Sequence, residues 1–197
     1  MKLLLATNNK KKYKEVKELF SFLSIDIITP DLLNIIFEVE ETGSTFKDNA
    51  ALKSNELFRI TKLPSLADDS GICVNALNGE PGIYSARYGA SNLDDRGRAE
   101  YLLDKMRGIK DRSAYYHCAL AFTNMNGTFF IEEQCHGLIA NEYDEQGIYG
   151  FGYDPIFYFP QYNNLFSKTN LEDKNKVSHR GKALLTFYQN YKNGYYE

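Results

Sequence analysis

The sequence predicts an α/β fold with a central mixed β-sheet flanked by helices. Apolar strands alternate with amphipathic helices in the first part of the chain, which is typical of an α/β architecture. Two long strands then follow each other across a tight turn, which is typical of antiparallel pairing. A chain of 197 residues is long enough for one domain that buries about 70% of the surface of its unfolded form.

The first four predicted elements alternate between strand and helix. Lys2–Ala6 (KLLLA) predicts a buried strand, and Ile25–Thr29 predicts a second one. The intervening helix starts near Lys10 and has apolar residues at helical spacing: Tyr13, Val16, Leu19, Phe20 and Leu23. Ser44 or Thr45 can cap the next helix. Its inward face is predicted to comprise Phe46, Ala50, Leu57 and Ile60.

The remaining elements include a hairpin. Asn126-Gly127 is a strong turn signal between the strands that are predicted at Ser113–Thr123 and Thr128–Ala140. The other predicted segments are a strand at Leu66–Val74, a helix at Asn92–Met106, a glycine-rich loop at Gly147–Gly152, a polar loop at Asn163–Asn175 and a helix at Gly181–Lys192.

Composition and charge exclude several classes of protein. Lys and Arg number 23 against 26 Asp and Glu, so the net charge of −3 disfavours a dedicated nucleic-acid binder but not a site for a small anion. No apolar run approaches the roughly 18–20 residues that cross a bilayer. Three cysteines without CxxC spacing (Cys73, Cys118 and Cys135) predict a cytoplasmic protein and argue against a zinc site. The absence of GxSxG argues against a serine hydrolase.

Thr7–Lys12 (TNNKKK) joins the first strand to the first helix. Backbone N–H groups at a helix N-terminus bind phosphate, and lysines add positive charge. The alternative is a solvated lysine face, which is the commoner reason for a lysine run. Lysines in a first turn oppose the helix dipole, however, and a bound anion would relieve that conflict.

Asp68 and Asp69 interrupt an apolar strand, where carboxylates are costly unless they are paired or bound to a metal. Adjacent strand residues point to opposite faces, so only one of the two is expected to enter a given site. The alternative is a polar turn, because Asp, Ser and Gly favour turns. The acidic loop Glu38–Glu41 either offers further oxygen ligands for Mg²⁺ or is an exposed loop.

Two later segments have the chemistry to recognise a nucleobase. The phenylalanine of Gly150–Pro155 (GFGYDP) is flanked by glycines, which can expose its ring for stacking. Ser178–Gly181 (SHRG) offers a guanidinium fork and an imidazole just before the last helix. The alternatives are a core aromatic residue beside a turn and a capped helix start with solvated charges.

Five segments, in order and at compatible spacing, together resemble the inosine triphosphate pyrophosphatase family: LLLATNNKKKYKEVKELF, EETGSTFKDNAALKS, LADDSGICVNALNGEPGIYSARYGA, FGYDPIFYFP and VSHRGKAL. The resemblance covers nearly the whole chain and implies a single domain over residues 1–197. It implies an elongated α/β fold of two lobes with the substrate cleft between them, and a homodimer. It also implies Mg²⁺-dependent hydrolysis of deaminated purine nucleoside triphosphates (ITP, dITP and XTP) to the nucleoside monophosphate and pyrophosphate.

The resemblance implies roles for individual residues as well. Asp69 matches the catalytic carboxylate and metal ligand of the family, and Asp68 supports it. Glu40 matches the second metal carboxylate, although a one-residue shift of the alignment would exchange it with Glu41. The residues at substrate-binding positions are Thr7, Asn8, Asn9, Lys10, Lys11, Lys12, Lys53, Ser70, Phe151, Gly152, Tyr153, Asp154, Lys174, His179 and Arg180.

Two alternative functions stay open. The first is a pyrophosphatase that acts on other modified nucleotides, against which the complete FGYD and SHR segments argue. The second is a nucleotide-binding module without catalysis, against which the acidic balance and the intact Asp69 argue.

Overall fold

A computed structural model describes residues 2–23 and 25–197, except for the side chain of Phe22. The strands in this part of the chain are β1 (Lys2–Leu5), β2 (Asp26–Ile28), β3 (Ser65–Val74), β4 (Ser113–Asn124), β5 (Gly127–Ile139), β6 (Phe157–Phe159) and β7 (Asn164–Leu165). They form one sheet in the order β2-β1-β3-β4-β5-β6-β7.

The sheet is mixed, which confirms the predicted fold class. Strand β1 pairs in parallel with β2 and with β3, and Leu5 lies opposite Leu66. Strand β6 pairs antiparallel with β5 and β7. The amide of Ala6 donates to the carbonyl of Leu66 at 2.8 Å, so the loop after β1 starts beside the part of β3 that carries Asp68 and Asp69.

The helices in the described residues are α1 (Lys10–Phe22), α2 (Phe46–Thr61), α3 (Asp95–Lys105), α4 (Leu171–Val177) and α5 (His179–Lys192). Thr45 caps α2, because its hydroxyl accepts from the Asp48 amide at 3.1 Å. Helix α3 begins three residues later than predicted, since the Asp94 carboxylate accepts from the Gly97 amide. Among residues 2–23 and 25–197, none of the helices combines the length and the apolar character that crossing a membrane requires.

Two details of the sequence prediction are wrong. Ile60 was expected on the inward face of α2, but it lies in the last turn and is 42% exposed. The expected polar loop Asn163–Asn175 instead contains β7 and most of α4. Asn170 caps α4 by accepting from the Asp173 amide at 2.8 Å, a capping signal that the polar composition of this short segment concealed.

The chain divides into two units. The first unit comprises Met1–Asp69, Cys118–Glu133 and His179–Glu197, and the second comprises Ser70–His117 and Gln134–Ser178. Strands β3, β4 and β5 each contribute residues to both units.

Each unit has its own hydrophobic core. In the first unit, β1, α1, β3, β4 and α5 contribute Leu3, Leu5, Phe20, Leu66, Leu120, Phe122 and Phe187. In the second unit, the buried residues include Ile72, Val74, Leu102, Met106, Ile156, Phe157 and Phe166. Cys73, Cys118 and Cys135 are all buried thiols. These cores fix the strand ends and helix starts from which the candidate site residues project.

Candidate active site

The loop between β1 and α1 is organised by its own polar side chains. The Asn9 side chain caps α1 by accepting from the amides of Lys11 at 2.9 Å and Lys12 at 3.2 Å. The Thr7 hydroxyl accepts from the Asn9 amide at 3.1 Å, and the Asn8 side chain donates to the Phe37 carbonyl at 2.6 Å. Three of the sequence-predicted residues therefore shape the backbone of the predicted phosphate loop.

The lysines of this loop divide into two groups. Lys10 and Lys11 are exposed at the start of α1, whose first turn contains no carboxylate. Lys12 turns inward, its side chain is 15% exposed, and its Nζ lies 2.7 Å from Oδ1 of Asp68. The interpretation as a solvated lysine face thus fits Lys10 and Lys11 but not Lys12.

Asp68 is a buried carboxylate surrounded by cations. Besides Lys12, it accepts from Nε of Arg180 at 3.0 Å, and Arg180 also donates to the buried carboxylate of Glu15. Burial alone would raise the pKa of Asp68, but Arg180, Lys12 and Lys53 together lower it well below its usual range. Asp68 therefore stays ionised and anchors Lys12 of α1 and Arg180 of α5 to β3.

Asp69 lies in a different electrostatic environment. Its Oδ1 lies 2.9 Å from Nζ of Lys53, which also lies 2.8 Å from Oε1 of Glu41. Burial raises the pKa of Asp69 against the opposing effect of Lys53 and Lys12, and Glu41 adds to the increase. The pKa values of the adjacent Asp68 and Asp69 thus shift in opposite directions, a pattern that is typical of carboxylates with separate roles.

The oxygen ligands around Lys53 are suited to Mg²⁺. Glu41 and Asp69 both contact one ammonium group, so two carboxylates already converge on a positive charge. Among residues 2–23 and 25–197, no cluster of three or more His, Cys, Asp and Glu side chains could hold a metal by itself. Mg²⁺ needs no such cluster, because it usually takes one or two carboxylates together with substrate phosphates. The structure brings Glu41 to this group, whereas Glu40 is exposed.

In the second unit, the Asp154 side chain holds together the GFGYDP segment (Gly150–Pro155), which is predicted to recognise a base. Its carboxylate accepts from the Phe151 amide at 2.7 Å, from Nζ of Lys174 at 2.6 Å and from the Tyr116 hydroxyl at 3.1 Å. Gly150 has a φ of +74°, and a Cβ there would lie 2.2 Å from Oδ2 of Asp154. Only glycine leaves room for this arrangement.

Phe151 and Tyr153 have different surroundings. The Phe151 ring is half-buried, with the ammonium of Lys174 5.2 Å from its centre. Tyr153 is buried in the core of the second unit and donates its hydroxyl to the Ser85 carbonyl at 2.8 Å. Burial raises the pKa of Tyr153. Tyr153 is therefore a core aromatic residue, whereas Phe151, for which stacking on a base is predicted, is only half-buried.

The remaining predicted residues are placed as follows. His179 and Arg180 are the first two residues of α5 and are both buried. Ser70 is half-buried on β3, and Gly152 donates its amide to Oδ2 of Asp95 at 3.3 Å. Arg180 was expected to face the base, and the structure gives its guanidinium two carboxylate partners in Asp68 and Glu15.

Sequence reasoning missed three residues of these networks. Glu15 contacts Arg180, Tyr116 contacts Asp154, and the buried Asn49 is hydrogen-bonded to Asp69 and to the Gly43 amide. The sequence signal for Asn49 is its position one turn before Lys53 on α2, which places the two side chains on the same face of the helix.

Comparisons with known proteins show what this chain is similar to in sequence and in fold. The model of the Ham1 family matches residues 3–190. A relative named dITP/XTP pyrophosphatase, from Leptospira interrogans, is 56% identical over 182 residues, which are 92% of each chain. The solved Staphylococcus aureus Ham1 protein has 37% identity and a TM-score of 0.86, over 98% of this chain and 100% of that one. A HAM1 protein from Coxiella burnetii has 37% identity and a TM-score of 0.88, over 98% and 99% of the two chains.

Proposed function

This chain belongs to the Ham1 family, and we propose that it hydrolyses dITP, XTP and ITP to the nucleoside monophosphate and pyrophosphate. The family assignment agrees with the resemblance carried by the five sequence segments. The proposed activity is supported by the relative from Leptospira interrogans named dITP/XTP pyrophosphatase, with 56% identity over 92% of the chain. Such an enzyme removes deaminated purine nucleotides from the nucleotide pool.

The observation that carries the proposal is the pair Asp68 and Asp69. Asp68 is held ionised by Lys12 and Arg180, while the pKa of Asp69 is raised by burial beside Lys53. One carboxylate is therefore committed to structure, and the other can accept a proton. Two adjacent acids in these two states fit a hydrolase better than a binding module.

The start of α1 is the proposed binding site for the phosphates. Its first turn contains Lys10, Lys11 and Lys12 but no carboxylate. The positive end of the helix dipole and the lysine side chains therefore lie at the same place. A triphosphate would be attracted by the positive end of the dipole and by the lysine charges. Lys53, beside Asp69, would offset the charge that develops on the leaving pyrophosphate.

Asp69 is the proposed catalytic residue. Hydrolysis at the α-phosphorus needs a water molecule that is held in line with the leaving pyrophosphate. The Asp69 carboxylate would orient this water or accept its proton, a role that typically contributes about 10²–10⁴-fold in rate. A pKa raised above that of an ordinary Asp favours proton transfer to this carboxylate.

Asp69 and Glu41 are the residues proposed to hold Mg²⁺, with Glu40 as the alternative to Glu41. Both favoured carboxylates lie within 3 Å of Lys53 Nζ, at 2.9 Å and 2.8 Å. When bound, Mg²⁺ supplies positive charge to the phosphates. Each aspartate also contacts its own lysine, since Lys12 contacts Asp68 at 2.7 Å and Lys53 contacts Asp69 at 2.9 Å.

Base selection is assigned to Phe151, Lys174, His179 and Arg180. Phe151 would stack on any purine, so it does not discriminate. Hypoxanthine and xanthine have a 6-oxo acceptor where adenine has a 6-amino donor. Donors from Lys174, His179 or Arg180 toward position 6 would therefore accept ITP and reject ATP, and a site built around such bonds can discriminate by about 10⁴–10⁵-fold.

The decisive experiment measures Mg²⁺-dependent pyrophosphate release from ITP, dITP, XTP, GTP, ATP and TTP. We expect turnover of the first three and strong discrimination against ATP. Equal rates on ITP and ATP would refute the proposed specificity. Preferred turnover of a pyrimidine would indicate a pyrophosphatase for other nucleotides, and binding without any turnover would indicate a binding module.

We also propose that the protein acts in the cytoplasm as a homodimer. The proposed substrate belongs to the nucleotide pool, and the three buried thiols suit a reducing compartment. Light scattering coupled to size-exclusion chromatography tests the dimer, for which the expected mass is twice that of the 22.6 kDa chain. A monomer at micromolar concentration would refute the dimer.

A further inference from the structure

Asn49 is a fully buried polar side chain that joins Gly43, two residues after the acidic loop, to Asp69. It lies on α2 and is 0% exposed. Its Oδ1 accepts from the Gly43 amide at 2.8 Å, and its Nδ2 donates to Oδ2 of Asp69 at 3.4 Å. The oxygen and the nitrogen of one carboxamide are thus both hydrogen-bonded, the oxygen to the loop and the nitrogen to the proposed catalytic carboxylate.

Only one orientation of the Asn49 carboxamide satisfies both neighbours. The Gly43 amide is a donor and needs an acceptor, whereas an ionised Asp69 carboxylate is an acceptor and needs a donor. Aspartate at position 49 would keep the bond from Gly43 but offer no donor to Asp69. An apolar side chain would leave buried polar groups unpaired on both sides.

Asn49 acts on Asp69 together with Lys53. The two residues are four positions apart on α2, so they share one face of the helix. Lys53 contacts Oδ1 of Asp69 at 2.9 Å, and Asn49 contacts Oδ2. Because each oxygen has its own donor, rotation of the carboxylate about its Cβ–Cγ bond is restricted. Lys53 contributes a positive charge beside the carboxylate, and the neutral Asn49 fixes the orientation of the carboxylate.

The loop side of this connection depends on the absence of a side chain at Gly43. A Cβ at this position would lie 2.5 Å from Cβ of Asp48 and 2.7 Å from Oδ1 of Asn49. The loop can therefore approach α2 closely enough for the hydrogen bond only if residue 43 is glycine. Glu41, which contacts Lys53, lies two residues before this fixed point.

We propose that Asn49 is a positioning residue for the pyrophosphatase reaction. It orients the Asp69 carboxylate and holds the loop that contains Glu41 beside it. The inference rests on the proposed function, since it requires Asp69 to act on the substrate. Asn49 itself touches no reacting atom, and residues that orient a functional carboxylate in this way typically change activity by about 10–100-fold when removed.

The test compares Asn49→Ala with Thr45→Ala on the same helix. Thr45 caps α2 through the Asp48 amide, so its removal weakens the helix without touching Asp69. We expect Asn49→Ala to lower kcat for ITP by about 10–100-fold with little change in KM. We expect Thr45→Ala to lose stability and keep a kcat close to that of the wild type.

Asn49→Asp separates positioning from packing. It preserves the volume of the side chain and the bond from Gly43, but it removes the donor to Asp69. A purely structural Asn49 would make the alanine variant the worse of the two, because alanine leaves a cavity. Because aspartate also adds a negative charge beside Asp69, positioning predicts that the uncharged alanine variant loses kcat as well, and that the aspartate variant loses at least as much. Calorimetric binding of inosine monophosphate to each variant would check that the nucleotide site remains folded.

Gly43→Ala tests the loop side of the same connection. If both residues act through their shared hydrogen bond, the double variant Gly43→Ala/Asn49→Ala should lose less kcat than the product of the two single losses. If the wild type is active and Asn49→Asp is equally active, the inference is wrong but the proposed function stands. No turnover by the wild type would overturn both the inference and the proposed function.

Discussion

Arg180 donates from Nε to Oδ2 of Asp68 over 3.0 Å, and both side chains are almost completely buried. Breaking a buried ion pair by removing one member typically costs about 3–5 kcal/mol, because it leaves an uncompensated charge. Asp68→Asn would leave Arg180 and Lys12 facing a neutral amide. We therefore expect the variant to lose about 3–5 kcal/mol of unfolding free energy in urea titrations. A loss of unfolding free energy below about 0.5 kcal/mol, as is typical of a substitution on the surface, would contradict this expectation.

Acid titration of the same variant tests the charge state of Asp68. The pKa of Asp68 is lower in the folded chain than in the unfolded chain, where it is about 3.9. Its contribution to stability is thus complete above about pH 4 and is lost as the pH falls toward the folded value. Asp68→Asn should therefore lose less stability than the wild type on acidification below about pH 4, measured without divalent cations. Parallel curves would mean that Asp68 is not held ionised.

Replacing Asp69 tests the proposed catalytic carboxylate. Asp69→Asn keeps the size of the side chain but removes the group that would orient or deprotonate water. We expect turnover of ITP to fall by about 10²–10⁴-fold or more, with nucleotide binding largely retained. Pyrophosphate release and equilibrium binding of inosine monophosphate are the two measurements. Near-normal turnover would remove Asp69 from its role.

The adjacent acids of the loop provide a matched pair for the metal site. Glu41 contacts Lys53 and Glu40 is exposed, so Glu41→Gln should need a higher Mg²⁺ concentration for half-maximal activity. Removing a residue that only hydrogen-bonds to a metal ligand typically weakens metal affinity or activity by about 10–100-fold. Removing the ligand itself should weaken them at least as much. Glu40→Gln is the control and should titrate with Mg²⁺ like the wild type. The reverse ranking would assign the ligand to Glu40.

Two neighbouring glycines allow a matched test of the GFGYDP segment (Gly150–Pro155). Gly150 and Gly152 both have positive φ, at +74° and +61°. A Cβ at Gly150 would collide with Asp154, whereas one at Gly152 meets no atom within 4 Å. Both alanine variants should lose about 1–2 kcal/mol from backbone strain. Gly150→Ala should lose about 1–3 kcal/mol more from the clash, as measured by urea unfolding. Equal losses of unfolding free energy in the two variants would show that a side chain at position 150 does not disturb Asp154.

The sequence predicts the mixed sheet well because its main signals are local. Helical spacing after Lys10 and the turn at Asn126-Gly127 concern residues that are close along the chain, and both elements form as expected. The N-terminal start of α4 has a local signal too, but its seven residues are too few for periodicity to reveal. Propensity is weakest for such short elements.

The candidate site shows where sequence reasoning stops. The sequence identifies Lys10–Lys12 as one basic run, whereas the structure separates the inward Lys12 from the other two. Arg180 and Glu15 are 165 positions apart, and no pattern along the chain connects them. Asn49 was overlooked because its partners, Gly43 and Asp69, are specified only when the loop and β3 are folded against α2.

The burial of the three thiols has a consequence for chemical reactivity. Burial raises the pKa of Cys73, and it raises that of Cys118 further, beside the negatively charged Asp68. Thiolates are the species that react with peroxides and alkylating agents, so raised pKa values make Cys73 and Cys118 poor targets, and burial protects all three thiols. We therefore expect the thiols of the folded chain to resist oxidation, and iodoacetamide should modify them only after the chain unfolds.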